Sequence, residues 1–414
     1  MFNIERWQEI FETIRKNKLR TFLTGLSVAS GIFILVILLG FGQGMANGIE
    51  KEFSRNASNT IWIWSNVTSK EYKGLNPGRR IRFENENFQD ILEVHSDDLE
   101  YKSPIKALWQ TQISHKNESG TYSLEGVYPD FQFIQNANLV QGRFLNFSDH
   151  ENFEKVVAIG IKVKEELFKN EDPMNKQLQI NGINFKVIGV FSDPGGEFEE
   201  ARAYIPLSTS QRVFGGNNNF NTFSFTLKPQ KTFDASVEAS KNFKSEVEKY
   251  LKETHIIAPD DTRALGSSNT LEEVKRFYTL TNNIKMFFWF VGICTIIAGI
   301  VGVSNIMLII VKERTKEIGI RKAIGAEPWS IIGMILHEAI FVTAFAGFAG
   351  LIFSMGLLEI LGPNVEIDYI INPSVNFNVA LSTVFLLIIA GTIAGFFPAY
   401  KAAKIKPIDA LREE

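Results

Sequence analysis

The sequence has a single cysteine, Cys294, and it lies inside an apolar run. No intramolecular disulfide can form, and a chain of this length has no need of one. Low-complexity tracts and short repeats are absent. So is the pattern G-x-x-x-x-G-K-[ST], and with it any P-loop to cradle nucleotide phosphates. No G-x-S-x-G elbow occurs. His95, His115, His150 and His255 stand at no metal-ligand spacing. His337 and Glu338 begin like a zinc motif, but Phe341 occupies the place of the second histidine. A membrane-anchored enzyme is disfavoured on these grounds.

What is present is a contrast between apolar and polar stretches. The 414 residues carry a net charge of −3. A mean hydropathy of +0.00 averages a very apolar part with a polar one. Between Thr21 and Ile49 there are 29 residues without a charge. As a helix they would measure about 43 Å, more than the ~20 residues a bilayer core needs. The length and the long mixed-charge leader disfavour a cleaved signal peptide. Further apolar runs cover 286–311, 329–358 and 377–400, each long enough to span. Small residues recur four apart at Ser27 and Gly31, Gly40 and Gly44, Ala298 and Gly302, Ala346 and Gly350, and Gly391 and Gly395. That spacing lets helix backbones approach closely in lipid.

The expected organisation is an amphipathic interfacial helix over 1–20, four transmembrane helices over 21–49, 284–311, 329–361 and 377–400, and a large domain over 50–283. A charged segment over 312–328, a short outer loop over 362–376 and a tail over 401–414 complete it. In the first segment Ile4, Trp7, Phe11 and Ile14 recur at helical spacing beside five basic residues, which predicts a helix lying in the membrane surface. An ordinary surface helix is the plainer alternative.

Lysine and arginine set the orientation. The leader has five, 312–328 has five, the tail has four and 362–376 has none. The N-terminus, the charged segment and the C-terminus are therefore expected in the cytoplasm, and the large domain outside. Counted over 44–283, that domain carries 28 basic and 33 acidic residues. Long domains cross regardless of such charges.

Strands are predicted over 61–64, 106–114, 155–159, 177–180 and 185–191, where β-branched residues recur. Asn181-Gly182 predicts a tight hairpin. A charged helix is expected over 234–252 and a helical stalk over 271–285. Asp193-Pro194-Gly195-Gly196 followed by Glu197, Glu199 and Glu200 is expected to be an acidic mobile loop, with a cation or partner site as the less favoured reading.

The sequence NIMLIIVKERTKEIGIRKAIGA over 305–326 starts as membrane and ends as something else. It resembles the signature of the MacB/FtsX-like permeases, membrane subunits of type VII ABC transporters. Also similar to that family are the NKLRTFLT entry at 17–24 and the ending FPAYKAAKIKPIDALR at 397–412. Five short stretches resemble the MacB-type domain in order: GVYPDF at 126–131, GRF at 142–144, DPMNK at 172–176, VIGV at 187–190 and YIPL at 204–207.

The resemblance implies a polytopic α-helical membrane protein with a large mixed α/β extracytoplasmic domain, made of a MacB-type porter part and an inserted lobe. It implies that 312–328 is a coupling helix docking into a cytoplasmic ABC ATPase, with Glu313, Arg314, Glu317, Ile318, Gly319, Arg321, Ala323, Gly325 and Ala326 as the matching residues. Glu313 and Arg314 are expected at the membrane exit, and 318–325 facing the partner. The short helix is expected to be fused rigidly to its span.

MacB-type exporters carry an ATPase ahead of the permease. Here the P-loop is missing, so ATP and Mg are expected on a separate subunit and no cofactor in this chain. A second permease copy or paralogue, membrane lipid, and a periplasmic adaptor or outer-membrane factor are the other implied partners, with no nucleic acid. The implied place is a bacterial inner membrane. The implied work is ATP-driven movement of the outer domain that extrudes a substrate. Lipoprotein release and control of a cell-wall hydrolase are the alternatives. Glu338 is a functional candidate because a carboxylate in a span is costly. The preferred reading is that it lies near the cytoplasmic interface, pairs with a basic residue and fixes helix depth. Pro398 is expected to kink or end the last helix.

Overall fold

A computed structural model describes residues 18–53, 59–215, 217–367, 370–375 and 377–407. The surface-helix expectation falls almost wholly on 1–17, and the last residues of the family-like tail on 408–412; both lie outside the described residues. The chain divides into two compact units, one of residues Lys51–Phe277 and one of the remainder.

In the membrane unit, four helices are long and apolar enough to cross a bilayer among the described residues. They are Lys18–Phe53, Thr270–Glu313, Pro328–Leu361 and Phe377–Ala403, here the first to fourth spans. Ile32, Leu35 and Val36 of the first pack with Val303 and Met307 of the second and Leu387 and Ala394 of the fourth. Phe345, Phe353 and Phe385 point outward instead, as lipid-facing side chains do.

The small residues do the work their spacing predicts, with one exception. A Cβ on Gly350 would stand 2.4 Å from the carbonyl oxygen of Ala29, so the first and third spans touch backbone to backbone there. Gly395 lies against Ala339, Gly391 against Thr343 and Gly31 against the backbone of Thr295. Gly302 has nothing within 4 Å and makes no such approach. The fourth span continues past Pro398 to Ala403, so this proline does not end the helix. Ala394, Ala399 and Ala402 are buried around it, and packing in lipid holds a turn that lacks one backbone hydrogen bond.

The other unit is a mixed α/β domain. Its strands are β1 (Thr60–Ser65), β2 (Phe83–Glu84), β3 (Leu99–His115), β4 (Glu118–Val127), β5 (Asn138–Gly142) and β6 (Val156–Gly160). They continue with β7 (Gln177–Ile180), β8 (Ile183–Ser192), β9 (Arg202–Pro206), β10 (Asn219–Phe220), β11 (Thr222–Leu227) and β12 (Leu265–Asn269). Among the described residues ten of them form one sheet in the order β12-β1-β11-β3-β4-β9-β6-β8-β5, with β7 against β3 and β8.

β3 is the seam. Its first half, to Ile105, pairs with β11; from Lys106 it pairs with β4. On one side lies a phenylalanine-rich core, Phe83, Phe88, Phe223 and Phe225, closed by the helix Phe233–Thr254. On the other lie Val157, Val163, Phe185 and Val187. β4 to β9 thus follow β3 in the chain before β11 returns to it, and they form the second half of the sheet. The hairpin between β7 and β8 turns through Asn181 and Gly182 with φ of +44° and +85°. Both values are positive, as a type I′ turn needs.

The acidic stretch is not irregular throughout. Glu197–Glu200 forms one helical turn. Glu199 meets Arg202 at 2.6 Å and Glu197 meets Lys162 at 2.7 Å. Arg202 also reaches Glu125 at 3.1 Å in the interior. Burial pushes the Glu125 carboxyl up; Arg202 pulls it back only partly, with Glu199 repelling it, and it settles at about 6.

Candidate functional site

The charged segment is built by one break and one cap. The second span stops at Arg314, whose φ of −99° and ψ of 14° leave the helical range. Thr315 Oγ1 donates to the Lys312 carbonyl at 2.8 Å and so satisfies an acceptor orphaned by the break. A nine-residue helix, Thr315–Ala323, follows. The span and the segment are therefore two helices interrupted at Arg314, with the helical hydrogen bonds Arg314 N–H to Ile310 and Ile318 N–H to Arg314 on either side of the break.

The far end is a Schellman cap. Gly325 has φ of +105°, a conformation that favours glycine. Its N–H donates to Lys322 at 3.1 Å, and that of Ala326 to Arg321 at 3.0 Å. Pro328 then takes the first position of the third span, where its missing N–H costs nothing.

Three contacts tie this helix to its neighbours. Arg314 meets Glu338 of the third span at 3.4 Å. Arg321 Nη1 donates to the thioether of Met334 at 2.9 Å, and Arg321 Nη2 to Glu317 at 2.8 Å. Lys322 Nζ donates to the carbonyls of Ala403 and Ile405 at 2.7 and 2.8 Å, at and just past the end of the fourth span. Glu338 is buried and paired with a cation.

The two faces of the helix differ. Ile318 is 1% exposed and packs in the same core as Val311, Ile331 and Ile335. Gly319 is buried beside it. These two residues face the protein's own interior, which corrects the expectation that all of 318–325 looks outward. At 100° per residue, Ile320 lies on the opposite side from Ile318, and Ile324 lies one turn beyond it. Ile324 is 82% exposed, and Ile320 and Trp329 are exposed with it. Glu313, Lys316, Glu317, Ala323 and Gly325 are also exposed, whereas Arg321 and Ala326 are half-buried. Lys322, Ile320, Ile324 and Trp329 were not singled out from sequence. The spacing of Ile320 and Ile324 was the available signal, an apolar pair on the face opposite Ile318.

Residues 21–243 match the MacB-like periplasmic core domain family, and 289–407 match the FtsX-like permease C-terminal family. The macrolide export ATP-binding/permease protein MacB of Chlorobium luteolum is 28% identical over 410 residues, covering 98% of this chain and 60% of that protein. The chain thus spans about 60% of the length of such relatives. An uncharacterized ABC transporter permease of Methanocaldococcus jannaschii is 25% identical over 416 residues, covering 98% of this chain and 96% of its own. The crystal structure of the periplasmic region of MacB from Actinobacillus actinomycetemcomitans aligns with a TM-score of 0.44 at 19% identity, over 56% of this chain and 97% of that one.

Proposed function

This chain belongs to the MacB/FtsX-like family of ABC transporter permeases, and from that premise we propose that it couples the ATP cycle of a separate cytoplasmic ATPase to movement of its α/β domain, and so extrudes a substrate. In this reading the helix Thr315–Ala323 lies in the cytoplasm, with the N- and C-termini on the same side of a bacterial inner membrane. The ATPase binds ATP and Mg; this chain supplies the surface it pushes. Two permease copies, or one and a paralogue, pair with two ATPases. The α/β domain acts on cargo outside, alone or with an adaptor.

One observation carries the reading: the short helix is bound to the third and fourth spans on its inner side, yet presents Ile320, Ile324 and Trp329 outward. An exposed apolar cluster rimmed by Lys316, Glu317 and Glu327 is the pattern of a docking face. A push on it reaches the third span through Arg314 and Arg321 and the fourth through Lys322. The helix Thr270–Glu313 supports the second half of the route, since its residues belong to the soluble unit up to 277 and to the membrane unit beyond.

The test is to isolate the chain from its native membrane and identify its companions. An ATPase with an adaptor fits export. An ATPase with a lipoprotein, or with a hydrolase, moves the assignment to release or to signalling. Glu317→Lys should keep insertion and lose coupling between hydrolysis and the outer domain. Failure to find any ATPase would overturn the proposal.

A further inference from the structure

Lysine is seldom buried without a partner, because taking an ammonium out of water costs several kcal/mol. Lys106 is 8% exposed, and its Nζ has no hydrogen-bond partner. It stands at the seam of the sheet, the first residue of β3 to pair with β4 after Ile105 has paired with β11. The ladder of β3 splits there between its two partners. Asn221 bridges the split, donating its backbone N–H to the Ile105 carbonyl at 3.1 Å and accepting from the Ala107 N–H through its side chain at 3.1 Å. Beside this split lies a cavity of about 630 Å³.

Lys106, Arg80 and Arg82 all line that cavity, and no aspartate or glutamate does. Among the described residues no carboxylate pairs with any of the three. Burial, and then the nearby Arg82 guanidinium, push the Lys106 ammonium below its usual range. Both influences would be relieved by an anion. An adjoining cavity of about 460 Å³ shares Ser65, Asn66, Ala107, Trp109 and Asn221 with the first and is walled by Trp62, Trp64 and Trp109. Three cations line the first cavity and three tryptophans the adjoining one, a lining that suits a ligand with a charged end and a flat or apolar end.

We propose that this cleft in the α/β domain binds a phosphate monoester attached to an apolar body, with Lys106, Arg80 and Arg82 on the phosphate and Trp109 and Trp64 on the body. A monoester carries about −1.5 to −2 charges near pH 7, which suits a cavity lined by three cations and no carboxylate better than a single carboxylate does. Arginine adds forked donors for its oxygens. The inference stands on the α/β domain alone and does not depend on the ATPase reading.

The experiment is calorimetric titration of the full chain, in nanodiscs of neutral lipid, with three soluble probes: phenyl phosphate, inorganic phosphate and benzyl alcohol. Phenyl phosphate should bind at least tenfold more tightly than benzyl alcohol. Tighter binding than inorganic phosphate assigns the aromatic wall to the ligand's body; equal binding assigns the site to free phosphate and overturns the apolar part of the proposal. Lys106→Met should weaken phenyl phosphate at least tenfold. Arg82→Glu, at an exposed position, should do the same and decides the matter should the buried variant fail to fold. Absence of phosphate binding, or unchanged affinity in Arg82→Glu, would overturn the proposal.

Discussion

Replacing Arg314 by methionine leaves the Glu338 carboxylate buried without its guanidinium. The pair is 3.4 Å apart, with side-chain exposures of 25% and 6%. At an effective dielectric of about 20, two unit charges at that distance attract by about 5 kcal/mol, an upper bound before desolvation is subtracted. Removing one partner of a buried pair costs about 3–5 kcal/mol, because the other charge is stranded. The two single variants should differ. Arg314→Met takes the cation from the deeper group and should cost about 3 kcal/mol. Glu338→Met strands an arginine a quarter exposed, which can turn its head to water, and should cost about 1–2 kcal/mol. The double variant replaces both charges with apolar side chains and should lie near the wild type. A double-mutant cycle should therefore give a coupling of at least about 2 kcal/mol. Reversible unfolding in mixed micelles of dodecyl maltoside and dodecyl sulfate measures it. Additivity within about 0.5 kcal/mol would refute the view that this pair fastens the charged segment to the third span.

Other outcomes follow from the same structure. Glu125 has a folded-state value of about 6 against an ordinary 4.5. A raised carboxyl stabilises the fold below its unfolded value and loses that contribution as pH rises through 6, so about 2 kcal/mol should vanish between pH 4.5 and 7. Glu125→Gln should flatten that part of a pH-stability curve. Gly350→Val meets the carbonyl of Ala29 and should destabilise by about 1–3 kcal/mol. Gly356→Val meets nothing within 4 Å and should stay within about 0.5 kcal/mol in the same unfolding assay. Asp261 is fully buried, which raises its carboxyl, yet hydrogen bonds from Ser69, Lys70 and Arg263 pull it down to about 2. Asp261→Asn should lower the melting temperature of the full chain, and stability should fall less steeply in the variant than in the parent as pH drops below 4.

The parts legible in sequence were those set by local pattern. Asn181-Gly182 announces its own turn because both residues tolerate positive φ. Apolar length announces the four spans, and the ungapped charged signature identifies the segment between the second and third. Long-range pairing was not legible. Nothing local marks Arg314 as a helix break, since the residues on both sides favour helix. Glu199 reads as a member of an exposed acidic loop because its partner, Arg202, is itself fixed by Glu125, which lies far away in sequence on a neighbouring strand. Lys106 read as one more strand residue. Its isolation appears only where β3 passes from β11 to β4. Pro398 misled for a related reason: a proline breaks a helix in water more readily than one held by packed alanines and by Lys322.

The central claim is that the outward face of Thr315–Ala323 is where an ATPase pushes. A photo-crosslinking amino acid placed at Ile324, 82% exposed, tests it in the cell of origin. Irradiation should yield an adduct between this chain and a nucleotide-binding subunit, identified by mass spectrometry. The same probe at Ile318, which packs inward, should yield none. An Ile324 probe that captures only lipid, or no ATPase at any yield, would contradict the account.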